Sequence, residues 1–375
     1  MTLALAEAVK GLGRTHPNPA VGAVLVKAGR VIATGYHARL GGPHAEAVAL
    51  KQAGARAKGA TLYSTLEPCN HHGRTPPCSD AIIAAGVKRV VYASSDPNPL
   101  VNGKGVRRLR AAGVEVMAHV LRRAADSLNQ PFLKAMRTGL PWVTAKAAIT
   151  LDGKLATSTG KSKWISSDAS RKVAHQLRDV VDVVVVGAST VLADDPQLTV
   201  RLAKKGTRNP IRLVIDPHLR TSPRAKIYDT TDARTILVSK KGGQKFLERG
   251  VEVWPLKGLE PLLRRLVLEG ALHVLVEGGA ETHRSFLAGG LVDELVLFVA
   301  PKLCGHGGLT WSGALGVSDP STALQFDALD AVRVGPDLMV TARLLALSPT
   351  LSPSGRGRRR ATLPAASSSV RTRRR

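Results

Sequence analysis

The sequence predicts an α/β protein of two domains, and three observations carry that prediction. Short runs rich in Val, Ile, Leu and Ala alternate with helix-length segments along most of the chain, the pattern of sheets covered by helices. Arg137-Thr138-Gly139-Leu140-Pro141 interrupts the alternation after a helical Phe132-Leu133-Lys134-Ala135-Met136, and a new strand pattern starts at Trp142. The chain has 375 residues, long enough to bury two cores. Domains over 1–138 and 139–346 follow, with a basic, Ser/Pro/Arg-rich tail over 347–375 whose composition predicts disorder.

In the first half, residues 1–10 have apolar positions at helical spacing and no basic leader region, so they read as an amphipathic helix and not a signal peptide. Residues 21–26 and 31–36 are strands of a hairpin turning through Lys27-Ala28-Gly29-Arg30. Gly41-Gly42-Pro43 precedes a helix over 45–53. A strand over 60–66 leads to a second helix opened by Cys78 and stopped at Gly86, and 87–93 is the next strand. Residues 103–112 and 121–129 are helical around a strand at 114–117. The result is a three-layer sheet with helices on both faces.

The second half is read in the same way. Strands are expected over 143–149, 181–186, 211–215, 235–238, 272–276, 295–299 and 338–342, the last two closing the sheet. Residues 262–268 and 282–288 are helical. Glu277-Gly278-Gly279-Ala280-Glu281-Thr282 joins a strand to a helix, where glycines let backbone N–H groups approach an anion. It is not G-x-G-x-x-G, so it is no dinucleotide fingerprint by itself.

The densest chemistry lies between His44 and Cys78. His44-Ala45-Glu46, Pro68-Cys69 and Pro77-Cys78 supply one imidazole and two thiolates. Three protein ligands with a fourth position left for water are the pattern of a catalytic zinc. Glu46 then serves as proton shuttle. Residues two apart on a helix point to nearly opposite sides, so His44 and Glu46 share a pocket only where the helix is just beginning. H-x-E…P-C-x-x-C marks zinc deaminases of nucleobases, but here nine positions separate Cys69 from Cys78. That spacing argues against the plain cytidine and RNA-editing deaminases.

With the insert His71-His72-Gly73-Arg74-Thr75-Pro76-Pro77 and the upstream His16-Pro17-Asn18-Pro19-Ala20-Val21-Gly22, the chain closely resembles the bifunctional deaminase/reductase of riboflavin biosynthesis. Residues 146–153 (KAAITLDG), 164–166 (WIS), 191–200 (VLADDPQLTV) and 277–279 (EGG) resemble that family's reductase half. The resemblance spans roughly residues 3–345. It implies a cytidine-deaminase-like three-layer α/β/α domain and a dihydrofolate-reductase-like α/β domain. It also implies zinc-dependent deamination of a phosphoribosylaminopyrimidine, followed by NADPH-dependent reduction of the ribosyl group to a ribityl chain.

By the same resemblance Asn18, His71 and Arg74 contact the deaminase substrate. Cofactor contacts fall at Ala148, Trp164, Thr190, Asp194, Gly279, Ala280, Glu281, Thr282, His283, Arg284 and Ser285. Substrate contacts of the reductase fall at Ser162, Arg178, Leu198, Arg201 and Glu277, the two arginines suited to a phosphate by their bidentate geometry. Lys146, Asp152 and Glu277 are candidates for the acid of the reduction.

Composition bounds the alternatives. Two of the three cysteines belong to the metal motif and Cys304 has no obvious partner, so a reducing cytoplasm is the simplest setting. The longest apolar run, 180–186, is too short to span a bilayer. A net charge of +26 would suggest nucleic acid, but eight of the arginines lie in the tail beyond residue 345 and the rest are scattered. A zinc-dependent nucleic-acid deaminase with an appended domain is therefore the competing reading, opposed by the cysteine spacing and the reductase-like half. A zinc-stabilised protein without activity would not need Glu46. The partner expected is a small molecule, with no specific nucleic acid and no membrane, and a homodimer or higher homo-oligomer is left open.

Overall fold

Small side chains set how tightly the first lobe packs. β1 (Gly22–Lys27) forms an antiparallel hairpin with β2 (Arg30–Tyr36) and pairs antiparallel with β3 (Thr61–Leu66). β4 (Arg89–Ser94) and β5 (Glu115–Met117) extend the sheet in parallel, giving the order β2-β1-β3-β4-β5. Its helices are α1 (Thr2–Val9), α2 (Ala45–Ala53), α3 (Cys78–Ala84), α4 (Lys104–Ala111), α5 (Arg122–Leu128) and α6 (Gln130–Thr138). Ala45, Ala49 and Ala53, four residues apart, form a buried stripe of methyls on α2. Gly35 completes the close approach, because a Cβ there would lie 2.4 Å from the Ala45 carbonyl oxygen. Helix and sheet backbones thus touch at the turn that presents His44 and Glu46.

This architecture comes from a computed structural model that describes residues 1–70, 77–98 and 101–344. Met1–Leu344 form one unit. His71, His72, Arg74 and the expected tail lie outside the described residues.

The second lobe is a nine-stranded sheet in the order β11-β10-β9-β8-β12-β6-β13-β16-β15. Its strands are β6 (Trp142–Thr150), β8 (Val183–Gly187), β9 (Ile211–Ile215), β10 (Thr235–Ser239), β11 (Glu252–Pro255), β12 (His273–Val276), β13 (Glu294–Ala300), β15 (Phe326–Val334) and β16 (Asp337–Leu344), with β7 (Lys154–Ala156) and β14 (Leu309–Thr310) paired separately. The strands from β11 to β13 run parallel and β16 and β15 antiparallel. Val183 to Val186 are almost fully buried, as a central parallel strand covered on both faces requires. The helices are α7 (Asp168–Val180), α8 (Ala188–Asp194), α9 (Gln244–Leu247), α10 (Leu259–Leu268) and α11 (Ala280–Ala288).

Most expected strands and helices are present within one to three residues. Seven of these elements were not expected: α7, α8, α9, β7, β11, β14 and β15. Because β15 lies outside β16, the sheet does not close on 338–342 but on a hairpin. Its outward positions Leu329 and Val332 are exposed, so an apolar pattern does not mark it as a strand of the core. Among the described residues no helix is long and apolar enough to cross a membrane.

The lobes are joined by a polar seam. Arg14 donates to the Asp179 carboxylate and carbonyl, both at 2.7 Å. His16 Nδ1 lies 2.6 Å from Asp182 Oδ2, which also accepts from the Leu272 and His273 backbone N–H groups. Arg208 reaches the other oxygen at 2.9 Å. Burial opposes ionisation of Asp182, but His16 and then Arg208 outweigh it and hold the carboxyl well below the usual range. Asp182→Ala would strand these donors and is expected to cost about 3–5 kcal/mol in urea unfolding. A depressed carboxylate pKa contributes stability above the unfolded value near about 4 and loses it as pH falls toward the folded value. The gap between parent and variant should accordingly be full at neutral pH and narrow only in acid.

Candidate active sites

His44 is the residue just before α2, with extended backbone (φ −69°, ψ 158°), and Glu46 is in the helix's first turn. This is the geometry required for both to face one pocket. Cys78 is the first residue of α3. Cys69 follows β3, and its loop is pinned by α4: a Cβ on Gly105 would lie 1.9 Å from the Pro68 carbonyl oxygen. His44 Nδ1 is 3.2 Å from Cys78 Sγ and 3.5 Å from Cys69 Sγ, and one ligand atom from each of the three residues lies within 4.8 Å of the others. An imidazole and two thiols converging at this spacing fit a zinc ion, with Glu46 beside rather than among the ligands.

Glu46 is 4% exposed and accepts a 3.0 Å hydrogen bond from Ser64. Burial pushes its carboxyl up, against the pull of His44. The backbone N–H of Cys78 donates to Cys69 Sγ at 3.5 Å, so the start of α3 supports the Cys69 thiolate. Hydrogen bonding from the Cys78 thiol draws Cys69 down, and the same bond with burial pushes Cys78 up.

A cavity of about 410 Å³ opens beside these groups, lined by Asn18, His37, Glu67, Asp96 and Phe132 as well as His44, Glu46 and Cys69. Asn18 Nδ2 lies 3.3 Å from His37 Nε2, and His37 Nδ1 lies 3.0 Å from the Pro43 carbonyl. The amide donates to Nε2 and Nδ1–H donates to the carbonyl, which fixes a neutral tautomer. Burial lowers the His37 pKa, favouring the same state. Burial raises Glu67, and it lifts Asp96 to about 6. Sequence reasoning missed His37, Glu67 and Phe132. Glu67, directly before the Pro68-Cys69 pair, was the accessible signal.

The second cavity, about 1600 Å³, lies across the carboxyl ends of the parallel strands, where open α/β sheets bind ligands. It exceeds the roughly 300–1,000 Å³ usual for one ligand and has room for a dinucleotide with a sugar phosphate. Ala148, Trp164, Thr190, Asp194, Gly279, Ala280, Glu281, Thr282 and Ser285 line it, as do Ser162, Arg178, Leu198, Arg201 and Glu277. Two expected cofactor residues do not. His283, within α11, is fully buried, its ring edge-on to Trp311, and Arg284 pairs with Glu281 without itself lining the cavity. On a helix these neighbours of Thr282 and Ser285 point elsewhere.

Glu277 organises the floor. Arg178 donates to it twice, at 2.6 and 2.9 Å, and Lys146 Nζ lies 2.9 Å away. Burial opposes the charge, but Arg178 and Lys146 outweigh it and keep the carboxyl well below its usual range. Arg178 also donates to the Thr199 carbonyl, while Arg201, which lines the same cavity, is exposed. Asp152 is outside the cavity and accepts from Thr150 and the N–H groups of Cys304 and Gly305.

The comparisons with known proteins agree with this geometry. Residues 1–94 match the cytidine and deoxycytidylate deaminase zinc-binding region, and 141–340 match the RibD C-terminal domain. A riboflavin biosynthesis protein RibD from Aquifex aeolicus is 49% identical over 345 residues, 91% of this chain and 96% of that one. The chain belongs to the RibD family. The Escherichia coli RibD is 41% identical, covering 90% of this chain and 96% of its own. The solved Acinetobacter baumannii RibD superposes with TM-score 0.87 at 39% identity, covering 92% and 98% of the two chains. A Thermotoga maritima structure described as a diaminohydroxyphosphoribosylaminopyrimidine deaminase/5-amino-6-(5-phosphoribosylamino)uracil reductase gives TM-score 0.84 at 39% identity, covering 92% and 97%. Like other RibD proteins, this chain is a bifunctional deaminase and reductase of riboflavin biosynthesis, with a zinc-binding deaminase domain and a reductase domain that uses NADPH. The nucleic-acid deaminase reading is thereby set aside.

Proposed function

We propose that the first cavity deaminates a diamino phosphoribosylaminopyrimidine and that the second reduces the deaminated ribotide to its ribityl form. The observation that carries this reading is the presence of two separate cavities, one around His44, Glu46, Cys69 and Cys78, the other around Glu277. Zinc, when bound, activates water for attack on the amino-bearing ring carbon. Glu46 takes a proton from that water and returns it to the departing amine, its other contact to Ser64 holding the carboxyl in place. Asn18 offers an amide to the pyrimidine edge, steadied by His37. His71 and Arg74, outside the described residues, are assigned to the phosphoribosyl part.

In the second cavity NADPH, when bound, supplies a hydride to the sugar carbon, and the task of the protein is chiefly positioning. Ala148, Trp164, Thr190, Asp194 and Gly279 to Ser285 form the cofactor wall, except the side chains of His283 and Arg284. Ser162, Leu198 and Arg201 hold the ribotide, with Arg178 setting the orientation of Glu277. Lys146 is the proton donor, since Glu277 is ionised and Asp152 is engaged elsewhere. We place the domains at 1–138 and 139–346, supported by the end of α6 at Thr138, with 347–375 dispensable. The enzyme works in the cytoplasm on a small molecule. Incubating the purified chain with the diamino ribotide and NADPH tests the reading. Ammonia release followed by loss of NADPH absorbance supports it, and NADPH consumption without ammonia sinks the assigned order.

A further inference from the structure

The second cavity extends well beyond the residues assigned so far. From the Glu277-Gly278-Gly279 turn after β12 it passes the ends of β8, β9, β10 and β11. Four strand steps of about 4.8 Å make this roughly 19 Å, the reach of an extended dinucleotide. With the nicotinamide beside Glu277 and the pyrophosphate at the start of α11, the adenosine lies at the far end.

That end is cationic. Arg220, Lys240 and Lys257 line it, on the loops that follow β9, β10 and β11. Backbone hydrogen bonds hold the loops together: Lys240 N–H donates to the Pro217 carbonyl at 3.2 Å and Leu256 N–H to the Ser239 carbonyl at 2.8 Å. Arg220 Nη2 reaches Ser189 Oγ, beside the cofactor residue Thr190, at 3.3 Å. Among the described residues none of the three cations is in an ion pair. The carboxylate nearest in sequence, Asp216, is fully buried and accepts from Arg220 N–H, Thr221 N–H and the Thr221 hydroxyl. The acids that line the cavity have other partners: Asp194 accepts from Ser162, Asp195 pairs with Lys226, and Glu277 and Glu281 are tied to cations of their own. Three unpaired cations grouped at one end of a cavity match a phosphate dianion, not a ribose diol.

We propose that Arg220, Lys240 and Lys257 bind the 2′-phosphate of NADPH and are what makes the reductase prefer it to NADH. The inference rests on the reductase reading above and adds the residues that set its cofactor choice. Lys226, already paired with Asp195, is not part of the site.

The test is calorimetric binding to the full-length, zinc-loaded chain, with NADPH, NADH, adenosine 2′,5′-bisphosphate and 5′-AMP as ligands. The parent should bind NADPH and the bisphosphate more tightly than NADH and 5′-AMP, with a preference that shrinks as salt rises. Lys240→Ala/Lys257→Ala and Arg220→Ala should each lose about ten- to a hundredfold in affinity for NADPH and the bisphosphate. NADH and 5′-AMP should bind them as they bind the parent. Lys226→Ala should keep the preference. Variants that retain the parent's preference, or lose NADPH and NADH equally, overturn the proposal while leaving the reductase reading intact. Loss of ribotide binding in its place would assign the cations to the substrate phosphate and overturn it as well. A parent that binds neither dinucleotide would instead contradict the reductase reading itself.

Discussion

Glu46→Gln is expected to lower the rate of deamination by about 10²–10⁴-fold, the usual worth of positioned acid–base catalysis. The amide keeps the size of the side chain and its contact to Ser64, but it cannot carry a proton from water to the departing amine. Zinc should be retained, because the cluster is His44, Cys69 and Cys78 and Glu46 stands beside it. Reduction of the already deaminated ribotide should be unchanged, since that cavity is lined only by residues from Lys146 onward. Ammonia release under saturating substrate measures the first effect, metal analysis the second and NADPH absorbance the third. A variant with normal deamination would remove Glu46 from the mechanism.

The second large effect is on metal. The parent should carry about one zinc per chain, and Cys69→Ala/Cys78→Ala should carry almost none, because a lone imidazole is a poor zinc site. Deamination should vanish with the metal. Chelation of the parent should do the same, with zinc restoring activity. The second lobe has its own cores, one around Val143, Val183 and Phe286 and another around Val184 and Tyr228, so reduction should survive metal loss. Full zinc content in the double variant would show that the ligands lie elsewhere.

Local chemistry was legible in the sequence wherever it was written in neighbouring residues. The need for His44 and Glu46 to flank a helix start follows from helical periodicity, and His44 does sit just outside α2. The Val-rich run of β8 announces a buried strand. What could not be read depends on chain segments far apart. α7 packs Leu177 and Val180 against the core but fully buries Ser170, Ala174 and Asp179, and Asp179, which meets Arg14 from the other lobe, is a buried charge that the local sequence does not announce. The pairing of Arg178 with Glu277, 99 residues later, is likewise invisible in the sequence. Conversely Asp152, a plausible acid by motif, proves to hold the turn at Cys304 and Gly305. His37 joins the first cavity only because β2 ends beside the Asn18 loop. Such pairings belong to tertiary packing and leave no periodicity behind.

The central claim is that the two cavities perform successive, separable steps. Arg201→Ala should impair reduction by removing a contact to the sugar phosphate, while ammonia release from the diamino substrate continues. Glu46→Gln fails at the earlier step. The most direct measurement is therefore to mix the two purified variants with the diamino ribotide and NADPH and to follow the ribityl product. Each variant alone should make little, and the mixture should approach the parent yield as the deaminated intermediate passes from one molecule to the other. A mixture that makes no more product than the single variants, with both proteins folded and zinc-loaded, would contradict the account.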